Sequence, residues 1–76
     1  MSERIVNETA DVEPLLSTDE VSRVLVIPAG TLANWRSMGT GTRFLRVGRH
    51  VRYRRTDVEA WIDAQVHAAA VDRERR

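Results

Sequence analysis

The sequence predicts a mainly α-helical fold with one small β-hairpin, and three observations support this prediction. Apolar residues recur at helical spacing in three segments of the chain. Two alternating runs, Phe44–Val47 and Val51–Arg54, flank a glycine-containing turn, as in a hairpin. A length of 76 residues fits one domain with a modest core. The predicted order is helix, turn, helix, hairpin, helix.

Composition narrows the class of protein. The chain contains no cysteine, which excludes disulfides and thiolate metal sites, so apolar packing must hold the fold. No apolar run approaches the ~20 residues that span a bilayer. Residues 1–14 are acidic, show no period and end at Pro14, so we interpret them as a flexible arm rather than a signal peptide. We expect a soluble, intracellular protein that does not associate with membranes.

The net charge of +1 conceals a strong division along the chain. Residues 1–22 carry a net charge of −5, and residues 56–76 carry −2. Between them, residues 23–55 contain eight arginines and no acid. Because like charges repel, this block is best accommodated beside a polyanion such as a nucleic acid. A solvated basic surface is the alternative interpretation.

The first helix is predicted at about residues 18–25. Ser17, followed three residues later by Glu20, fits a capping box, in which each side chain accepts the backbone N–H of the other residue. Leu16 stands just before the cap and can pack back on the helix as a hydrophobic staple. Three apolar residues recur at helical spacing and should bury one face: Val21, Val24 and Leu25.

The second helix is predicted at about residues 29–37. Proline suits the first turn of a helix and disrupts its interior, so Pro28 should begin this helix after a tight turn. Gly39 should end it. Leu32 and Trp35 fall on one side and should face the core. Two short helices joined in this way form a helix-turn-helix.

The hairpin can pair in two registers. A three-residue loop, Gly48–His50, places four apolar residues on one face: Leu45, Val47, Val51 and Tyr53. A two-residue loop would instead pair Leu45 with Arg52 and break this apolar face. We therefore predict the longer loop. In either register Arg49 lies at the tip.

The third helix is predicted at about residues 57–70. Thr56 and Glu59 fit a second capping box. Its apolar face should contain five residues: Val58, Trp61, Ile62, Val66 and Ala69. The charged tail, residues 71–76, should fray. The complete arrangement over residues 15–70 is a winged helix-turn-helix, in which the hairpin forms the wing.

The second helix contains the best candidates for reading a DNA sequence. Projected at about 100° per residue, its outer face holds three small residues and one amide: Gly30, Ala33, Ser37 and Asn34. Small residues let a helix approach the floor of a major groove, and the Asn34 amide can pair with both edge atoms of adenine. An ordinary solvent-exposed face is the alternative, although such a face usually carries charged residues.

The arginines of the basic block are candidates for contacting the DNA backbone and the minor groove. Arg49 at the wing tip could enter a minor groove. The remaining candidates could reach phosphates: Arg43, Arg46, Arg52, Arg54 and Arg55. Phosphate contacts supply affinity and base contacts supply specificity, so one amide among many arginines predicts modest specificity from a single copy. Neighbouring copies or DNA shape would then supply the rest.

The sequence does not predict catalysis or metal binding. His50 and His67 are isolated and the chain has no cysteine, so no zinc site is expected. Trp35 and Trp61 could stack on bases, but their helical spacing indicates core positions. Three acids suit the start and outer side of the third helix better than a carboxylate pair: Asp57, Glu59 and Asp63. We expect no enzyme activity, cofactor or small-molecule substrate.

Four segments in order resemble the excisionase family of MerR-like winged helix-turn-helix domains: Leu15–Val21, Gly30–Arg36, Val47–Tyr53 and Thr56–Ile62. The resemblance covers about residues 15–64. The chain departs from the family at the turn, where Val26-Ile27-Pro28 replaces a frequent glycine followed by Val-Ser, and at Thr42, where the family often has proline. The resemblance implies that Pro28–Ser37 is the recognition helix and Val47–Val51 the wing. It thereby adds four candidate DNA contacts: Pro28, Ala29, Arg36 and His50.

The resemblance also implies a function, that of a recombination directionality factor from a phage or integrated element. Such proteins bind and bend attachment-site DNA and help a tyrosine integrase excise the element. The implied partners are double-stranded DNA, a tyrosine integrase and further copies of the chain, in the cytoplasm and nucleoid of a bacterial host. An AlpA-like transcription regulator with the same fold is one alternative. A protein-interaction module, such as an anti-repressor that binds through the basic face, is another.

Overall fold

The computed structural model describes residues 13–75, and the fold is mainly helical with one two-stranded antiparallel sheet. The elements, in chain order, are α1 (Thr18–Leu25), α2 (Ala29–Met38), β1 (Leu45–Val47), β2 (His50–Arg52) and α3 (Arg55–Arg75). This is a winged helix-turn-helix, so the predicted fold class is confirmed. Most of the predicted acidic arm, residues 1–12, lies outside the described residues.

Helix α1 begins at the predicted capping box. The Ser17 hydroxyl accepts the backbone N–H of Glu20 at 3.1 Å, and the Glu20 carboxylate accepts that of Ser17 at 2.8 Å. The bond from the Ser17 N–H lowers the pKa of Glu20, so this contribution to stability is present above the ordinary range of a glutamate and is lost as acid protonates the carboxylate. Val21 is fully buried, but Val24 is 53% exposed. The prediction for Val24 is wrong because the core meets α1 along Val21 and Leu25, and Val24 lies beyond the edge of that face.

The turn between α1 and α2 contains the one described non-glycine residue with positive φ. Val26 ends α1 in the left-handed conformation, with φ 58° and ψ 48°, and its side chain is 84% exposed. The Ser22 hydroxyl donates to the carbonyl of Ile27, and the Ile27 N–H donates to the carbonyl of Ser22 at 3.1 Å. Pro28 follows as the N-cap of α2, and the helix begins at Ala29 as predicted.

The hairpin corrects the predicted register. Leu45 pairs with Arg52 and Val47 with His50, so the loop has two residues, Gly48 and Arg49. Gly48 has φ 64° and Arg49 does not share a positive φ, which is the pattern of a type II′ turn. Such a turn matches the right-handed twist of the strands. The turn geometry therefore decides the register, and the apolar alternation that predicted the three-residue loop does not.

The new register changes which side chains of the hairpin face inward. Tyr53 is buried with Phe44 against it, and their ring centroids are 6.4 Å apart. Val51 also packs on the core. Leu45 and Val47 lie on the other face, where Val47 is 48% exposed. Phe44 therefore occupies the inward place that the sequence analysis assigned to Leu45.

The core is small. Its buried apolar residues come from all three helices and the wing: Val21, Leu32, Tyr53 and Val58. Trp35 and Trp61 are half-buried and close one side of it, with ring centroids 5.4 Å apart. The loop after α2 passes over Trp35 at Gly41, where φ is 80° and an added Cβ would lie 2.6 Å from the indole. The tryptophans are thus interior packing residues, as their spacing predicted.

Helix α3 is longer than predicted at both ends. It begins at Arg55, so Thr56 is inside the helix and the predicted Thr56–Glu59 capping box is wrong. The Arg54 guanidinium pairs with Asp57 at 3.0 Å, and the Arg54 carbonyl accepts the backbone N–H of Val58, which starts the helix earlier. The predicted charged tail is helical as far as Arg75.

The predicted apolar face of α3 is buried only over its first two turns. Val58 is buried and Ile62 half-buried, but Val66 is 64% exposed and Ala69 is exposed as well. The helix continues past the body of the domain, so its second half has no core to face.

Replacing Val26 with glycine is expected to raise the free energy of unfolding by about 1 kcal/mol, because a side chain in the left-handed region costs about 1–2 kcal/mol and Val26 makes little contact to offset this cost. Val24→Gly is the matched control, since Val24 is an exposed valine inside the same helix, and it should lower stability by about 0.5–1 kcal/mol. Urea unfolding followed by circular dichroism measures both. Destabilisation by both variants to the same degree would contradict the left-handed conformation.

Candidate nucleic-acid interface

The outer face of α2 presents the small residues and the amide that the sequence placed there. Gly30, Ala33, Asn34 and Ser37 are all exposed. Pro28, just before the helix, is exposed, and Ala29 in the first turn is half-buried. The opposite side of α2 holds Leu32, which is buried. The helix therefore buries a narrow apolar side in the core, and its outer side exposes small residues and one amide to solvent.

Arg36 connects α2 to the wing. Its guanidinium donates a hydrogen bond of 2.6 Å to the Tyr53 hydroxyl, and its central carbon lies 5.8 Å from the centroid of the Phe44 ring. Arg46, from β1, lies at the same distance from that ring. Two arginines from different elements thus share one aromatic ring, and a cation near a ring face is attracted to it. This cluster, Arg36, Phe44, Arg46 and Tyr53, is called the aromatic junction below.

The aromatic junction puts the outer face of α2 next to the wing. Ala33 lies three residues before Arg36, so the two share a side of the helix. Because Arg36 reaches the wing, the exposed face that begins at Ala33 borders the wing. The recognition-helix candidates therefore lie on a helix that Arg36 connects to the hairpin.

The arginines of the basic block fall into two groups. The first group and the adjacent histidine are exposed on the loop and wing: Arg43, Arg46, Arg49 and His50. In the second group, Arg54 pairs with Asp57, and these hydrogen bonds raise the pKa of Arg54. Arg55 pairs with Glu13 at 3.1 Å.

Arg52 belongs with the second group. It is half-buried, its guanidinium donates to the Val51 carbonyl at 2.7 Å, and its charge contributes to the lowered pKa of Glu20. Acids from outside the basic block thus offset part of the charge in the second group. The loop and wing thus carry three exposed arginines: Arg43, Arg46 and Arg49.

The sequence analysis missed Phe44 as a member of the site and assigned Tyr53 only to the core. The alternation of the hairpin placed Tyr53 inward, and its hydroxyl was expected only at the edge of the core. The role of Phe44 could have been found from the other register, in which Phe44 and Tyr53 face the same side. The ion pair of Arg55 with Glu13 had no signal in the sequence, because 42 positions separate the two residues.

Comparison with protein families agrees with the fold. A family model described as a helix-turn-helix domain matches residues 15–66, most of the folded part of the chain. The chain belongs to this helix-turn-helix family. No curated protein and no solved structure matches it significantly. Membership makes the chain a small helix-turn-helix protein that binds double-stranded DNA, and domains of this type are typically non-enzymatic.

Two other kinds of feature, a metal site and a membrane-spanning helix, have no counterpart among residues 13–75 of this helix-turn-helix protein. Within residues 13–75, no three histidine or acidic side chains converge as ligands for a metal ion. Over the same residues, no helix combines the length and the hydropathy needed to cross a bilayer.

Removing the Tyr53 hydroxyl tests the aromatic junction. Tyr53→Phe should lower the free energy of unfolding by about 1.5 kcal/mol, because it deletes a hydrogen bond to a charged group in a half-buried place. The same substitution in an Arg36→Met background should cost much less, since its donor is already gone. Urea unfolding of the wild type, the two single variants and the double variant completes a double-mutant cycle. Additive losses of unfolding free energy would show that Tyr53 and Arg36 do not interact.

Proposed function

We propose that this helix-turn-helix protein is an excisionase, an architectural DNA-binding protein that binds and bends attachment-site DNA and directs a tyrosine integrase toward excision. The observation that supports this most is the aromatic junction, because it ties α2 to the wing through Arg36. A helix and a wing held side by side suit a major groove and the adjacent minor groove of one duplex.

In the proposed complex, α2 lies in the major groove. The Asn34 amide reads an adenine edge, and Gly30, Ala33 and Ser37 allow close approach of the helix. Pro28 and Ala29 lead the N-terminus of α2 toward a phosphate, where the helix dipole favours negative charge. Arg36 borders this surface.

The wing supplies most of the electrostatic affinity in this proposal. Arg49 enters the minor groove from the tip of the hairpin, with His50 beside it. The exposed Arg43 and Arg46 contact phosphates. Three arginines already have a partner within the protein: Arg52, Arg54 and Arg55. They would contribute less to DNA affinity, because each has to exchange that partner for a phosphate.

The balance of contacts favours an architectural role over that of a highly specific reader. One amide faces the bases, whereas several guanidinium groups face the backbone. Phosphate contacts position a protein without reading sequence, so specificity would come from DNA deformability and from neighbouring copies bound cooperatively. The integrase complex would use the bend that this protein introduces into the attachment-site DNA.

Arg49→Ala should weaken DNA binding several-fold and reduce the slope of log affinity against log salt by about 0.9, the value for one lost phosphate contact. Arg23→Ala removes the same charge from the exposed side of α1, outside the proposed interface, and is the matched control. Mobility shifts at several salt concentrations measure both slopes. Equal effects of the two variants would place Arg49 away from the DNA.

The excisionase proposal is tested by reconstituted excision. The protein is added to DNA carrying the attachment sites of its element together with the integrase of that element. We expect recombination of those sites to increase strongly, and a circular-permutation assay to show a bend at the binding site. Asn34→Ala should reduce both effects, while Gln65→Ala, on the outer part of α3, should reduce neither.

DNA binding without any stimulation of excision, accompanied by a change in transcription from a bound promoter, would replace the proposal with a regulator of the same fold. Absence of salt-sensitive DNA binding would contradict both and favour a protein partner for the basic surface.

A further inference from the structure

The outer part of α3 has no packing partner within the described domain. Every residue from Asp63 to Arg73 is exposed. An isolated helix shorter than about 12–15 residues is marginal in water even when it is rich in alanine. The segment from Asp63 to Arg75 is of this length, so packing against a partner would stabilise it considerably.

One face of this helix is self-complementary. Projected at about 100° per residue, it contains an acid, three apolar residues and a base. In order along the helix these are Glu59, Ile62, Val66, Ala69 and Arg73. Ile62 is half-buried at the edge of the core and Val66 is 64% exposed, so the apolar face begins in the domain and continues outward along the helix.

The order of charges on this face selects a second copy of the chain in antiparallel orientation. Glu59 and Arg73 lie equally far before and after Val66, separated by about 21 Å along the axis. An antiparallel copy centred on Val66 therefore places each Glu59 opposite an Arg73 and the two Val66 side chains against one another. A parallel copy would place like charges together.

Three further points favour this arrangement. Glu59 and Asp63 are both exposed and lie one turn apart, where like charges destabilise a helix; an arginine from a second copy would offset this repulsion. The dipoles of two antiparallel helices also oppose one another favourably. Moreover, the helix continues nine residues beyond the region that the family model matches, so the surface is partly a feature of this chain.

We infer that α3 pairs antiparallel with α3 of a second copy to form a two-fold symmetric dimer in solution, without DNA. The interface is isologous, and Val66 lies on its axis. Two wings and two recognition helices would then be related by the same axis, which suits inverted half-sites. The inference rests on α3 alone and is independent of the proposed excisionase role.

Sedimentation equilibrium of the full chain without DNA tests the pairing, at concentrations up to about 1 mM. The mass should rise from 8.7 kDa toward twice that value. Val66→Asp, Glu59→Arg and Arg73→Glu should each shift dimerisation to at least tenfold higher concentration. The double variant Glu59→Arg/Arg73→Glu should recover it, because the opposite charges face each other again. A monomer throughout, or a double variant no better than the single ones, overturns the inference.

A cysteine test reports the geometry directly and does not depend on disruptive variants. The described chain has no cysteine, so Val66→Cys introduces a single thiol on the proposed axis. Mild oxidation should join two copies rapidly through that residue. Ala64→Cys, exposed on the opposite side of α3, is the control and should cross-link at least tenfold more slowly. Equal rates would mean random collision and would overturn the antiparallel pairing.

Discussion

Tyr53 is the residue on which the arrangement of this protein depends. Its backbone exchanges hydrogen bonds of 2.7 and 2.8 Å with Leu16, its ring packs against Phe44, and its hydroxyl accepts from Arg36. One residue, 1% exposed, thus joins the entry to α1 through its backbone and the wing to α2 through its side chain. A domain of this size has few other means of fixing a hairpin relative to a helix, because its core is small. The recognition surface follows from this junction, since neither α2 nor the wing alone would present it.

The distribution of charge separates arginines that pair with acids from those at the tip of the wing. Arg54 and Arg55 are more than half exposed, but they pair with Asp57 and Glu13, which offset their charge. Arg49, at the tip of the wing, is exposed. A count of arginines in the basic block therefore overstates the charge available to a polyanion, and the wing is where that charge is concentrated. The proposed function relies on this concentration rather than on the net charge of the chain.

The sequence was a good guide to the start of α1 and the end of α2 and a poor one to the hairpin register and the start of α3. The capping box at Ser17 and the turn at Gly39 depend on neighbours a few residues away, and both helix ends were predicted within one residue. The hairpin register was wrong because alternation cannot show that Phe44, rather than Leu45, meets Tyr53. The candidate contacts on α2 occupy the predicted exposed face. The second role of Arg36 could not be predicted, because its partner lies 17 positions along the chain.

In the proposed complex α2 and the wing occupy two adjacent grooves of one duplex. Dimethyl sulfate probing of the bound site distinguishes the two grooves, because this reagent methylates guanine in the major groove and adenine in the minor groove. We expect protection of major-groove positions flanked, within half a helical turn, by protection of minor-groove adenines. Protection confined to a single groove, or groove protections further apart than the width of the domain, would contradict it.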